Sequence, residues 1–164
     1  MLEIKQDIFS CIGRSDLADG ICITTNGIIS KSKMACMGAG TAGICAEKYP
    51  EVRKILGEQI DKNGNHCYVI GKFSNGVYRD PEEPLFDQLL ISFPTKEHFK
   101  DNAKISLIIQ SSKELVAIAD KYGLKKVLLP KPGAGVFTGK LNFEIDVKPK
   151  IKDIFDDRFI IADI

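Results

Sequence analysis

Short apolar runs, bounded by glycine, proline or Asn-Gly turns, recur along the chain and have the length of β-strands. They predict strands at residues 2–9, 20–27, 66–71, 89–93, 125–130 and 159–164, with a minor strand or loop at 77–78. The run at residues 20–27 has glycine at both ends and carries its polar residues near its C-terminal end. This arrangement is typical of a buried central strand.

Between these runs, apolar residues recur every three or four positions, which is the spacing of an amphipathic helix. Helices are predicted after the glycines at 38–43, at 51–57, at 105–122 and at 141–155. Gly123 suits the left-handed position that ends the third of these helices. Pro149 either starts a second segment in the fourth helix or kinks it. A helix cap is also expected around Ser15 and Asp16.

Strands that alternate with helices predict an α/β fold, a three-layer α/β/α sandwich. The central sheet is expected to be mixed, because some connections are too short to cross over between parallel strands. The 164 residues fit one domain, 1–164, with enough chain for an ordinary hydrophobic core. No internal repeat or low-complexity segment interrupts the sequence.

The charge of the chain is balanced, with 23 Lys and Arg residues against 22 Asp and Glu residues. This balance argues against a protein that binds nucleic acid through a broad basic surface, because counterion release needs clustered positive charge. The balanced charge is compatible with a small substrate that is linked to nucleic acid. No signal peptide and no apolar run near the ~20 residues of a membrane span is present. We therefore expect a soluble, cytoplasmic protein without membrane contact, whose oligomeric state the sequence does not indicate.

Cysteine and histidine form no pattern of a metal site or a disulfide framework. The five cysteines are an odd number without a C-x-x-C pair, and the only two histidines are His66 and His98. Buried, reduced thiols are predicted. His66 is expected at the surface or in a turn, and neither a metal nor a cofactor is expected.

Two glycine-rich loops carry the candidate binding chemistry. In the first loop, Gly38, Ala39, Gly40 and Thr41 lead into helix-forming residues. Backbone amides at a helix N-terminus bind anions. The second loop contributes Gly133, Ala134, Gly135, Val136 and Phe137. Two such loops predict a ligand with more than one phosphate, although a single glycine turn is more often only a turn.

Polar residues at the C-terminal ends of the predicted strands complete the candidate site. In open α/β sheets, ligands bind beyond these ends. Thr25 and Asn26 lie at the end of the central strand, and Thr95 and Lys96 follow a later one. Asp7, near the end of the first strand, either bonds a ligand amine or caps the following turn.

Five groups of residues stand in a set order along the chain: Gln6-Asp7-Ile8, Thr24-Thr25-Asn26-Gly27, Met37-Gly38-Ala39-Gly40-Thr41-Ala42 with Tyr49-Pro50, Phe93-Pro94-Thr95-Lys96 with His98-Phe99, and Leu129-Pro130 with Gly133-Ala134-Gly135. Together these segments resemble the macro domain, an ADP-ribose-binding α/β/α module, over nearly the whole chain. Each segment alone is only suggestive. The MGxGxA, YP and FPTKxHF segments in this order are together specific.

The resemblance implies a role for each candidate residue. Asp7 would accept a hydrogen bond from the adenine amino group, and Ile8 would line the adenine pocket. The first glycine-rich loop would bind one phosphate, and residues 133–137 would bind the other. Asn26 would lie beside the distal ribose, and Phe137 either covers that sugar or is a core or lid aromatic.

The FPTK segment resembles the branch that includes the DNA-deADP-ribosylating antitoxins and the terminal ADP-ribose glycohydrolases. In that branch a lysine at the position of Lys96 is the catalytic group. An amine with a pKa lowered by desolvation can attack the neighbouring anomeric carbon or stabilise the departing group. The resemblance thus implies a hydrolase of ADP-ribosylated protein, nucleic acid or small molecules, with Lys96 as its catalytic residue.

The sequence departs from the family pattern at three positions. Phe137 stands where some lysine-dependent relatives carry an acidic residue, which argues against a mechanism that needs a lysine and a carboxylate together. Gln6 replaces a commoner glycine, and Thr41 replaces the usual isoleucine. Modest retuning of the pocket is expected from these two replacements.

Three other functions compete with the hydrolase. The chain could be an ADP-ribose-1″-phosphate phosphatase or a non-catalytic ADP-ribose reader, and the FPTK segment does not decide between them. A Rossmann enzyme is a more distant alternative, since residues 38–43 satisfy G-x-G-x-x-G as a bare pattern. That fingerprint sits directly on a strand-to-helix turn, whereas residues 28–36 separate the strand from these glycines.

Overall fold

A computed structural model of the protein describes residues 1–134 and 141–163. Its strands are β1 (Leu2–Lys5), β2 (Gly20–Thr25), β3 (Tyr68–Ser74), β4 (Val77–Arg79), β5 (Gln88–Pro94), β6 (Val127–Pro130) and β7 (Phe159–Asp163). They form one sheet in the order β1-β7-β6-β2-β5-β3-β4. The first five strands of that order run parallel, and β3 runs antiparallel to both of its neighbours, β5 and β4. The predicted mixed sheet is confirmed, and β2 is its central strand.

The helices are α1 (Gly40–Lys48), α2 (Glu51–Asn63), α3 (Ile105–Tyr122) and α4 (Lys148–Ile151), with a 3-10 turn at Ile8–Cys11 and a π-helical turn at Phe143–Val147. They cover both faces of the sheet. On β2, Ile21 and Ile23 pack with the 3-10 turn, α1 and α2, whereas Cys22 packs with α3 and α4. This alternation follows from the two-residue period of a strand. The predicted three-layer α/β/α sandwich is confirmed.

Helix α3 has the bounds that its apolar spacing predicts. It ends at Gly123, whose φ of 65° and ψ of 33° lie in the left-handed region. Glycine adopts this conformation without a steric penalty, and its amide satisfies carbonyls of the last helical turn. The following strand, β6, is thereby directed back into the sheet.

The first predicted strand is wrong in its C-terminal half. Strand β1 ends at Lys5, and the 3-10 turn begins at Ile8. The Asp7 carboxylate accepts the Phe9 backbone N–H at 3.0 Å and caps this turn. A short side chain that bonds its own backbone competes with strand pairing, which explains why the strand stops here.

The helix cap expected around Ser15 and Asp16 is absent, since residues 12–19 form turns and loops. The buried Gln88 side chain binds the backbone of this loop instead. Its Nε2 donates to the carbonyls of Cys11 and Ala18 at 2.8 and 2.9 Å, and its Oε1 accepts the Gly13 N–H at 2.9 Å. Sequence periodicity does not reveal a bond between residues this far apart in the chain.

The region 141–155 divides into two short segments, as one interpretation of Pro149 predicts. Asn142 caps the π-helical turn, because its Oδ1 accepts the Ile145 N–H at 3.0 Å. Helix α4 then starts with Pro149 in its first turn. Proline lacks the N–H that an interior helical position needs, so it begins the second segment.

Gly57 of α2 lies against the loop that leads to the first glycine-rich segment. A Cβ at this position would lie 2.0 Å from the Lys33 carbonyl oxygen and 2.8 Å from the Ala35 nitrogen. We expect Gly57→Ala to lower the free energy of unfolding by about 2 kcal/mol or more, because backbone cannot move aside cheaply. Alanine's helix propensity offsets only about 1 kcal/mol. Urea denaturation measures the change.

The matched control is Glu58→Ala, an exposed substitution on the same helix. It should alter the free energy of unfolding by no more than about 0.5 kcal/mol. Equal stability of the two variants would contradict the close approach of α2 to the Lys33 carbonyl.

The cysteines are all free thiols, and Cys11, Cys22, Cys45 and Cys67 are buried, as predicted, whereas Cys36 is half-buried. Burial raises the pKa of the Cys45 thiol to about 12, which keeps it protonated and unreactive. Among residues 1–134 and 141–163, no three His, Cys, Asp or Glu side chains cluster as metal ligands. In the same ranges, no helix combines the length and the apolar character needed to cross a bilayer.

Candidate functional site

The carboxyl ends of β1, β7, β6, β2 and β5 meet at one edge of the sheet, where they border a cleft of about 1490 Å³. Small-molecule sites usually measure about 300–1,000 Å³, so an extended ligand fits. The candidate residues that line it are Asp7, Ile8, Thr25, Asn26, Gly38, Ala39, Gly40, Thr41, Thr95, Lys96, Gly133 and Ala134. The other three candidates, Gly135, Val136 and Phe137, lie outside the described residues.

The N-terminus of α1 faces the cleft without side-chain cover. Ala39 occupies the N-cap and makes no side-chain hydrogen bond to the first turn. The first amides of a helix have no intrahelical acceptor and attract anions. A Cβ added at Gly38 or Gly40 would meet nothing within 4 Å, so the space beside these amides is open. An anionic group can therefore approach the backbone directly.

Small side chains connect this loop to the central strand. The Thr41 hydroxyl accepts the Thr24 backbone N–H at 3.2 Å and lies 3.3 Å from the Thr24 hydroxyl. A Cβ at Gly43 would lie 3.1 Å from the Gly38 carbonyl carbon, so glycine lets the loop fold back onto α1. The end of β2 thus positions the α1 amides at the cleft.

The Asn26 side chain fixes the backbone that follows β2. Its Nδ2 donates to the Cys36 carbonyl at 3.0 Å, and its Oδ1 accepts the Ile28 N–H at 3.0 Å. Asn26 therefore has a structural function at the cleft wall. Its neighbour Thr25 is buried at the end of β2.

Lys96 reaches the same cleft from the segment after β5. The Thr95 N–H donates to the Thr25 carbonyl at 3.1 Å, which continues the β2–β5 pairing. The Lys96 ammonium donates to the Phe99 carbonyl at 3.1 Å. Desolvation lowers the pKa of Lys96 below its ordinary value of 10.5, and the negative charge of Asp101 opposes this change. An amine with a lowered pKa in a cleft is a candidate for chemistry.

At the opposite end of the cleft, the Asp7 carboxylate is both a cap and an exposed lining group. One of its oxygens accepts the Phe9 N–H, as described above, and the turn residue Ile8 is buried beneath it. The cap that sequence patterns allowed is thus present. The cap uses one carboxylate oxygen of Asp7. The second oxygen and the apolar Ile8 side chain line this end of the cleft.

No protein-family model and no curated protein matches the sequence. Solved structures do match. The macrodomain of Thermus aquaticus DarG has a TM-score of 0.72 at 16% identity, covering 99% of this chain and 97% of that one. The macrodomain of Mycobacterium tuberculosis DarG has a TM-score of 0.73 at 20% identity, with the same coverage. Thermosipho africanus DarTG in complex with ADP-ribose has a TM-score of 0.73 at 20% identity, covering 98% of this chain and 40% of that chain.

The fold is that of a macrodomain. The likeness extends over nearly the whole described structure and confirms the fold that the resemblance implied. At these identities it establishes architecture alone. The chemistry of the site therefore depends on the residues of this chain.

The macrodomain fold also explains why the bare G-x-G-x-x-G pattern does not form a Rossmann site. Residues 26–39 separate the end of β2 from the start of α1. A Rossmann fingerprint occupies a tight turn between strand and helix. Here the last glycine of the pattern, Gly43, lies inside α1 and serves close packing.

Six further charged or aromatic residues line the cleft, although sequence reasoning did not select them: Glu47, Arg53, Phe99, Lys100, Lys131 and Asp163. Lys131 follows β6, so the rule that ligands bind beyond carboxyl ends could have identified it. Arg53 lies on α2 and donates through Nε to the Ala35 carbonyl at 3.1 Å. Only the folded chain brings Arg53 to the site.

Proposed function

We propose that the cleft binds ADP-ribose and that Lys96 cleaves the bond between the distal ribose and an acceptor. The open α1 amides support the first part, because they can accept the charge of a diphosphate. A protein with this fold, Thermosipho africanus DarTG, is in complex with ADP-ribose. The lowered pKa of the Lys96 amine, which lies in the same cleft, supports the second part.

The strand order supports one orientation of the ligand. Asp7 follows β1 and Lys96 follows β5, four strand positions apart, so roughly 19 Å separates these ends at about 4.8 Å per strand. Between them lie Gly133, after β6, and the α1 N-terminus. An elongated ligand with its anionic group in the middle fits this order. We assign adenine to Asp7 and Ile8, the diphosphate to the two glycine-rich loops, and the distal ribose to Asn26 and Lys96.

The chemistry requires a neutral Lys96 amine. Its lone pair attacks the anomeric carbon of the distal ribose, while the bond from that carbon to the acceptor breaks. The acceptor leaves with the bonding electrons and takes up a proton. Water then cleaves the new carbon–nitrogen bond, which returns the amine and releases ADP-ribose. Covalent catalysis of this kind needs an amine that is unprotonated near the working pH.

One observation carries the hydrolase proposal. A lysine amine with a lowered pKa lies in the same cleft as the open α1 amides but on a different segment of the chain. A solvated lysine would pair with phosphate without doing chemistry. On this basis we assign the chain to the lysine-dependent branch of deADP-ribosylating macrodomains.

Calorimetry and a turnover screen test the proposal. ADP-ribose should bind more tightly than ADP, which lacks the distal ribose. ADP-ribosylated thymidine, glutamate and serine, and ADP-ribose-1″-phosphate, should then be assayed for release of ADP-ribose or phosphate. Release from a glycosidic substrate supports the hydrolase. Faster phosphate release would favour a phosphatase, and binding without any turnover would favour a reader.

The pH dependence of hydrolysis follows from the lowered pKa of Lys96. Because only the neutral amine attacks, the single-turnover rate should rise with pH and level off, with a midpoint below 10.5. The Lys96→Arg variant, which stays charged, corrects for hydroxide-driven hydrolysis. A wild-type rate that falls over this pH range would show that Lys96 acts instead as an ammonium on the departing group.

A further inference from the structure

Within residues 1–134 and 141–163, the Lys96 amine has one hydrogen-bond acceptor, the Phe99 carbonyl, at 3.1 Å. That carbonyl shares a peptide with the Lys100 N–H. The Lys100 N–H donates to Nδ1 of His98 at 3.0 Å. In a trans peptide the carbonyl and the N–H point in opposite directions. Lys96 and His98 therefore bind opposite ends of the same peptide.

This peptide lies in the middle of a β-turn. The turn covers residues 98–101, and the Asp101 N–H donates to the His98 carbonyl at 3.0 Å. Turns of types I and II share that bond and differ mainly in the orientation of the central peptide. The turn bond alone therefore does not fix the direction of the Phe99 carbonyl. The His98 ring supplies the missing constraint by accepting the N–H on the other side.

The remainder of the segment is fixed from outside. Asn65 Nδ2 donates to the Lys96 carbonyl at 3.2 Å, and the Gly27 N–H donates to the Glu97 carbonyl at 2.9 Å. The Lys104 N–H donates to the Thr95 carbonyl at 2.9 Å. These bonds fix the base of the segment but do not reach its central peptide.

From this geometry we infer that His98 is a positioning residue for Lys96, acting through the peptide between Phe99 and Lys100. The inference rests on the proposed function of Lys96. His98 itself is not among the cleft-lining residues, whereas Lys96, Phe99 and Lys100 are. Its ring packs on Phe99, with centroids 4.3 Å apart. When the ring accepts the Lys100 N–H, the carbonyl on the other side also becomes a better acceptor, since linked hydrogen bonds polarise one another.

Two substitutions separate the acceptor of His98 from its ring. His98→Phe keeps an aromatic ring on Phe99 but removes the acceptor. His98→Asn removes the ring but retains an acceptor, because asparagine readily bonds the N–H two residues later. If His98 acts by orienting the peptide, the asparagine variant should function and the phenylalanine variant should not.

We expect His98→Phe to lower kcat for release of ADP-ribose by about 10- to 100-fold, since small misplacement of a reacting group has effects of this size. The kcat of His98→Asn should stay within about fivefold of that of the unmodified protein, because the acceptor for the Lys100 N–H is retained. ADP-ribose affinity, measured by calorimetry, should change by no more than about twofold in either variant, because the phosphate-binding amides lie on α1. Replacement of the other histidine, His66→Asn, should leave kcat unchanged.

A second measurement does not depend on turnover. The pH dependence of reductive methylation of Lys96, followed by mass spectrometry, gives the pKa of its amine. The unmodified protein and His98→Asn should share a value below 10.5. In His98→Phe the amine loses its bond to the Phe99 carbonyl and changes its contact with water, so its pKa should differ from the value that the other two proteins share.

The inference is overturned if the two variants lose kcat equally, if neither loses it, or if the pKa of Lys96 is the same in all three proteins. Should the unmodified protein release ADP-ribose from no substrate, the proposed function fails, while the methylation comparison still decides the function of His98. Should His98→Phe fail to fold, His98→Leu removes the same acceptor with a smaller side chain.

Discussion

Replacing Lys96 with alanine is expected to slow the release of ADP-ribose by about 1,000-fold or more while leaving ADP-ribose affinity within about twofold. The amine is the attacking group in the proposed reaction, and no water molecule at neutral pH replaces it efficiently. Binding should persist because the diphosphate is assigned to backbone amides of α1, on a different segment. Single-turnover assays and calorimetry measure the two effects separately.

Two control variants sharpen this result. Lys96→Arg keeps the positive charge but stays protonated at all accessible pH values, so it should be as inactive as the alanine variant. Lys100→Ala removes an exposed lysine from the rim of the same cleft and should lower kcat by less than about tenfold. Turnover retained by Lys96→Ala would reject Lys96 as the catalyst. Activity retained by Lys96→Arg alone would favour electrostatic stabilisation over attack.

The sequence predicted most of the fold because its periodicity is strong where the elements are buried. Strand β2 and helix α3 have the clearest patterns, and both were placed correctly. The errors occur where side chains bind backbone. Asp7 ends β1 early, and Gln88 binds a loop some seventy residues away in the chain, where a helix cap was expected. Such bonds depend on tertiary contacts, and local spacing does not contain them.

The candidate site was predictable to the extent that it follows the carboxyl ends of parallel strands. Twelve of the fifteen candidate residues lie in the described part of the chain, and all twelve line the cleft. Lining a cleft does not establish a function in binding, and those assignments stay predictions. Arg53 could not be predicted, because α2 brings it to the site from outside the loops.

The contribution of His98 was also beyond sequence reasoning. Its place in the FPTKxHF segment marks it only as part of a resemblance. The structure adds that its ring and the Lys96 amine bind the two ends of one peptide. A sequence lists residues that are neighbours in the chain but does not give the orientation of the peptides between them.

Gly38→Val is expected to weaken ADP-ribose binding by about 100-fold or more without unfolding the protein. A Cβ at Gly38 meets no heavy atom within 4 Å, and Gly38 is not among the glycines with positive φ. The free energy of unfolding should therefore change by less than about 1 kcal/mol.

The valine methyl groups would occupy the space beside the open α1 amides, which is where we place a phosphate. A displaced diphosphate would lose its charge-assisted hydrogen bonds to the backbone, and about 2.7 kcal/mol corresponds to the expected hundredfold change in Kd. Gly38→Ala, with a single added methyl group, should fall between the two proteins. Calorimetry gives the affinities and urea denaturation gives the stabilities. A folded Gly38→Val variant with unaltered affinity would place the diphosphate elsewhere, because two added methyl groups and a bound phosphate cannot share this space.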